Sequence, residues 1–208
     1  MHDAALPLAG AAILVVAWTV TIVAYRLRRA PVTTVADDAV LRVHGLTKRY
    51  GERVALDDVT FALPRGAVLA LMGPNGAGKT TLLQLISGLA LPSAGAAYVL
   101  GERVAPGSAV LRRAGIALEE PGFAPHLTGR ANLETLWRVS GRPADEAQLD
   151  LAAQLAGLTP YLDRRARDYS QGMKQRLAIA GALLGLPDLL ILDEPANGLD
   201  PARTRPGT

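Results

Sequence analysis

The stretch that most restricts how this chain can fold is GPNGAGKTT, residues 73–81, which matches G-x-x-x-x-G-K-[ST] without a gap. Its surroundings are those the pattern needs. Residues 54–63 and 67–72 are short apolar runs of strand character, and TLLQLISGL continues beyond the loop with helical apolar spacing. A strand that passes through a glycine-rich turn into a helix is the context in which such a loop holds nucleotide phosphates. Gly73, Gly76 and Gly78 permit a close backbone approach that a Cβ would obstruct. With Pro74, Asn75 and Ala77 they form a loop whose N–H groups, together with the helix N-terminus, surround phosphate oxygens. Lys79 is then expected to reach the β- and γ-phosphates and the Thr80 hydroxyl to ligate Mg²⁺, with Thr81 beside it among the nucleotide contacts. A glycine-rich turn arising by chance does not account for strand, loop and helix in this order.

The amino-terminal part reads differently. Residues 4–25, AALPLAGAAILVVAWTVTIVAY, contain no charge, and as a helix could cross roughly 30 Å of hydrocarbon. Arg26, Arg28 and Arg29 follow at once, which would put the carboxyl side in the cytoplasm. A signal peptide has the opposite charge order. The expectation is an amino-terminal transmembrane anchor over residues 1–29 and a short linker over 30–38; a remnant of a fused permease or a mistaken upstream start would give the same stretch. Those three arginines and Asp3 give this segment +2 of the net +3. The remainder is nearly neutral, so no basic face for nucleic acid is expected. Without cysteine, disulfides and thiolate metal sites are excluded.

A phosphate loop alone leaves kinases, GTPases and many ATPases open, and the downstream residues narrow the choice. YSQGMKQRL, residues 169–177, precedes an alanine- and leucine-rich helical stretch and then DLLILDEP, residues 188–195. In this order residues 40–201 resemble the ATP-binding-cassette family, the nucleotide-binding subunits of ABC transporters. The resemblance implies an α/β P-loop fold with a helical subdomain, ATP and Mg²⁺ as ligands, a second cassette and a transmembrane permease as partners, and a place on the cytoplasmic side of the cell membrane. Ser170 and Gly172 match the family signature, which meets the γ-phosphate bound by the other cassette; Tyr169, Gln171 and Met173 depart from it. Read alone, Ser170 is an ordinary helix cap. Asp193 matches the aspartate that supports Mg²⁺, and Glu194 the catalytic base that polarises the attacking water. NGLD, residues 197–200, matches the loop that crosses the dimer interface, which carries Asp200 to a nucleotide. Tyr50 sits where the family stacks a ring on adenine. Glu119 replaces the usual glutamine as a metal-sensing residue, and a carboxylate there can still ligate Mg²⁺ or its water. The EEP and SQGMKQR sequences resemble the exporters of bacitracin- and lantibiotic-type antibiotics. Leu149, Leu151, Leu155 and Leu158 suggest helix packing in the helical subdomain, and His126 is assigned no chemistry.

The family pattern continues after that loop with a helix, a strand and a switch histidine. His2, His44 and His126 all precede the signature, so none can stand there. The expectation is a cassette over residues 39–208 that is truncated at its carboxyl end. It would leave a central slot empty between the phosphate-loop strand and the strand before Asp193, and would turn over ATP weakly or not at all by itself. The function expected is ATP binding and hydrolysis for a transporter exporting a drug, peptide or antibiotic. A catalytically impaired nucleotide-binding fragment or regulator, and an ABC protein acting on ribosomes or DNA, remain alternatives.

Overall fold

The computed structural model describes residues 39–118 and 122–193, together with the backbone of one strand near the amino terminus. An antiparallel sheet is built first. Strands β2 (Ala39–Tyr50) and β3 (Arg53–Pro64) form a hairpin, and β5 (Ala94–Val99) and the short β6 (Glu102–Arg103) extend it in the order β3-β2-β5-β6. Val40, Leu41, Val43 and Leu46 of β2 are buried, as are Leu56, Val59 and Leu63 of β3. This apolar face covers helix α1 (Lys79–Ile86), which contributes Leu82, Leu83, Leu85 and Ile86 to the same core.

The second sheet is parallel. It contains β4 (Val68–Leu71), β7 (Ala114–Ala117) and β8 (Leu189–Leu192). All four residues of β8 are buried, as expected for a parallel strand covered on both faces. Successive side chains of a strand point to opposite faces. Leu189 and Ile191 therefore enter the core around α1, while Leu190 and Leu192 enter the core of the helical subdomain. That subdomain consists of α2 (Gly129–Val139), α3 (Leu149–Leu155) and α4 (Gln171–Leu183). Thr128 caps α2 by accepting from Ala131 N at 3.1 Å. Buried Asn132 ties the preceding loop down, accepting from Ala124 N and donating to the Ala124 and Thr128 carbonyls. Of the leucines expected to pack α3, Leu158 is fully buried, while Leu149 and Leu155 pack against the same core. Helix α4 lies so close to β7 that a Cβ on Gly115 would fall 1.8 Å from the Ala182 carbonyl oxygen. The expected strand over 67–72 is Val68–Leu71, and that over 54–63 is one residue longer at each end.

The amino-terminal expectation is corrected. Ala12–Val16 is a β-strand, β1, and the parallel sheet runs β4-β1-β8-β7. Positions 13–16 pair with 68–71 on one side, and 12–15 with 189–192 on the other. A membrane helix over 4–25 would need these same residues in helical geometry with their hydrogen bonds turned inward. Among the described residues, no helix is long and apolar enough to cross a membrane. The physical reason lies in the slot: β4 and β8 both present unpaired backbone groups there, and a five-residue apolar strand satisfies both rows at once. The slot expected to be empty is therefore filled by Ala12–Val16, and the remainder of the expected anchor over 1–29 lies outside the described residues. The linker over 30–38 lies outside the described residues.

Candidate nucleotide site

Strand β4 ends at Leu71, and the chain turns through the glycine loop into α1. Gly78 occupies the N-cap position of that helix with φ +86°. A Cβ there would lie 2.5 Å from the Ala55 carbonyl oxygen and 2.9 Å from Leu56 Cδ2 on β3. Both the left-handed conformation and the seat against β3 therefore require glycine. Lys79 folds back over the loop and donates to the Gly73 and Pro74 carbonyl oxygens at 2.6 and 3.0 Å. Its ammonium is thus held at the loop rim, where it can exchange carbonyls for phosphate oxygens.

Thr80 follows on the first turn of α1, and its hydroxyl donates to an Asp193 carboxylate oxygen at 3.5 Å. Asp193 is the residue after β8, and its backbone N–H is fastened to the Ala117 carbonyl at 2.8 Å. A hydroxyl and a carboxylate facing each other beside a lysine form an all-oxygen donor pair suited to a hard divalent cation. Around them opens a cavity of about 450 Å³, lined by Tyr50, Arg53, Ala55, Asn75, Gly76, Gly78, Lys79, Thr80, Thr81 and Asp193. Tyr50 ends β2 with half its surface exposed. Lys48 Nζ lies 4.8 Å from its ring centroid while donating to the Leu91 carbonyl. The half-exposed ring is part of the cavity lining.

Arg53 was not found by sequence reasoning. It pairs with Tyr50 across the hairpin turn and comes within 3.8 Å of the position a Gly76 Cβ would take. An arginine between a turn glycine and a strand carries no motif; the hairpin is what delivers its charge to the loop. Gly73, Pro74 and Ala77 belong to the loop but are not among the cavity-lining residues.

The signature residues stand elsewhere. Ser170 is the N-cap of α4 and accepts from Met173 N at 3.3 Å, so the capping reading holds in this structure. It is also exposed, with Gly172 half-buried two residues further on. Neither lines the cavity beside Lys79. Tyr169 behaves unlike its exposed neighbours: it is buried, and its hydroxyl donates to the Tyr161 carbonyl at 2.7 Å. Burial pushes its pKa up, with the Arg164 charge opposing. The hydroxyl occupies space that any side chain on Gly129 would claim, since a Cβ there would lie 2.1 Å away. Glu119, Glu194 and Asp200 lie outside the described residues. Among the described residues there is no cluster of three or more histidine or acidic side chains fit to hold a metal.

Fold and loop together define a P-loop NTPase fold of the α/β class with a helical subdomain. A profile of the ABC transporter family matches residues 56–197, and the chain belongs to that family. It is 39% identical over 163 residues to the bacitracin transport ATP-binding protein BcrA of Enterococcus faecalis, covering 78% of this chain and 53% of that protein. It is 38% identical over 162 residues to the lantibiotic transport ATP-binding protein SrtF of Streptococcus pyogenes, covering 78% and 69%. Among solved structures, CbiO1 from Clostridium perfringens, part of the ABC transporter complex CbiONQ, superposes with a TM-score of 0.68 at 32% identity, over 80% of this chain and 69% of that one. The chain thus spans about half the length of the bacitracin transport relative.

Proposed function

We propose that this chain is the ATP-binding and ATP-hydrolysing cassette of an ABC exporter, with a peptide antibiotic or similar drug as cargo. The observation that carries the reading is the convergence of Lys79, Thr80, Asp193 and exposed Tyr50 on one cavity. Tyr50 stacks the adenine, Lys79 and the loop N–H groups hold the phosphates, and Thr80 with Asp193 holds Mg²⁺. When bound, the cation neutralises charge on the β- and γ-phosphate oxygens. Glu194, next along the chain from Asp193, orients and polarises the attacking water, and Glu119 assists at the metal. Such a site works by positioning and electrostatics, with few covalent demands on the protein.

Exposed Ser170 and half-buried Gly172, at the start of a 13-residue helix and away from the chain's own cavity, suit the reading that they act on a second cassette's γ-phosphate, with Asp200 at the same interface. Leu89 and Leu136 are exposed around an apolar cleft of about 330 Å³ between α1 and the helical subdomain. A patch of that kind marks a protein contact, and we assign it to the permease, which holds the cassette at the cytoplasmic side of the cell membrane. The names of the bacitracin and lantibiotic relatives support the cargo class.

The test is binding of a fluorescent ATP analogue to the chain, followed by turnover when it is assembled with a permease. Lys79→Ala should abolish binding, while Glu194→Gln should keep binding and remove turnover. Undiminished binding by the Lys79→Ala chain would overturn the reading.

A further inference from the structure

The strand that carries the phosphate loop has an unusual attachment. Among the described residues, β4 lies at the edge of the parallel sheet and pairs with β1 alone. β8, which leads directly into Asp193, pairs with the other edge of β1. The two halves of the donor pair thus hang from opposite edges of one five-residue strand. That strand is joined to the rest of the described structure through residues 17–38. Neighbouring strands lie about 4.8 Å apart, so β1 holds β4 and β8 roughly 9.6 Å apart. At this separation the Thr80 hydroxyl and the Asp193 carboxylate meet at 3.5 Å.

Removing the strand leaves two outcomes, and both disrupt the pair. If β4 and β8 stay in place, two rows of buried N–H and C=O groups lose their partners, a cost that opens the sheet. If instead they close on each other, one side moves by about a full strand spacing and carries Asp193 past Thr80.

We propose that Ala12–Val16 is a positioning element of the nucleotide site, and that its seating between β4 and β8 is coupled to the binding of Mg-nucleotide. The inference rests on the nucleotide reading above. Coupling between two events is reciprocal. If the seated strand brings Thr80 and Asp193 together, a ligand held by both must in turn hold the strand in its slot. Nucleotide without Mg²⁺ engages the loop but not the donor pair, so it should stabilise the strand less.

The chain has no cysteine, which permits a direct test. Positions 14 and 191 are Cα partners, as are 14 and 69. Adjacent strands bring such positions within the 4.4–6.8 Å or so that a disulfide spans. Leu14→Cys with Ile191→Cys should form a disulfide within one chain under mild oxidation, and Leu14→Cys with Leu69→Cys should do so independently from the other side. Leu14→Cys with Leu192→Cys, one residue out of register, should not. Mg-ADP should speed both registered cross-links roughly 5-fold or more, the low end for coupled sites, and ADP with a chelator should do so less. Absence of both registered cross-links, or cross-links formed between chains only, would overturn the placement; insertion of the segment into a bilayer would give the former. Cross-linking indifferent to Mg-ADP, in a chain that fluorescence titration shows to bind it, would overturn the coupling while leaving the nucleotide reading intact. A chain that binds no nucleotide would overturn both.

Discussion

Substituting alanine at Gly78 and, separately, at Gly76 should separate two physical effects in the phosphate loop. Both glycines have left-handed backbone geometry, with φ +86° and +81°. An L-residue there costs about 1–2 kcal/mol, so this term is nearly common to the two variants. Their surroundings differ. A Cβ at position 76 would meet nothing closer than Arg53 Nη2 at 3.8 Å, an ordinary contact with a flexible tip. At position 78 it would meet the Ala55 carbonyl oxygen at 2.5 Å and Leu56 Cδ2 at 2.9 Å. The backbone oxygen cannot turn away without shifting β3, and such overpacking costs about 1–3 kcal/mol. Gly76→Ala should therefore lose about 1–2 kcal/mol and Gly78→Ala about 2–5 kcal/mol. At roughly 2–4 °C per kcal/mol for a chain of this size, the Tm of Gly78→Ala should lie several degrees below that of Gly76→Ala. The measurement is thermal unfolding by circular dichroism without nucleotide, so that ligand stabilisation does not mask the difference. Equal Tm values would refute the argument, because the contact with β3 would then be absent or freely relaxed.

Three further outcomes follow from particular contacts. Arg53→Ala should weaken binding of a fluorescent ATP analogue by about 3- to 10-fold, the loss of one exposed charge-assisted contact, and added salt should narrow the gap; an unchanged Kd would remove Arg53 from the site. Tyr169→Phe keeps the ring but removes one of the two donors to the Tyr161 carbonyl, which still accepts from Arg164 N, and should cost about 0.5–1 kcal/mol in chemical denaturation, with ATP affinity of the isolated chain unchanged. Asp188 accepts from Arg65 at 3.0 Å and Arg113 at 2.9 Å, joining the β3–β4 turn and the start of β7 to β8. Burial pushes its carboxyl up, but the hydrogen bonds and charges of Arg113 and Arg65 prevail and hold it below its ordinary value. Its contribution is therefore present above the unfolded aspartate range, near pH 4, and disappears as pH falls through the lower folded value. Tm measured from pH 7 to pH 3 should show wild type above Asp188→Asn at neutral pH, with the gap closing below about pH 4; a constant gap would refute the ion-pair account.

The sequence by itself determined the parts whose physics is local. The phosphate loop is legible because strand, glycines, lysine and helix follow one another within fifteen residues, 67–81, and each supplies what its neighbour needs. Ser170 is likewise a cap by its own side chain and the N–H of Met173, and the four apolar residues of β8 announce a strand buried on both faces. Tertiary structure decided what depends on distant partners. Thr80 and Asp193 stand 113 positions apart and meet only because the parallel sheet aligns the ends of β4 and β8. Arg53 reaches the loop through a hairpin, not through a motif. The amino-terminal segment is the clearest case. Twenty-two uncharged residues satisfy the length of a membrane helix, and an unbroken apolar run carries neither a 3.6 nor a 2.0 period to choose between helix and strand. Two rows of unpaired backbone groups on β4 and β8 made the choice, because a strand between them satisfies donors and acceptors that no local interaction could reach.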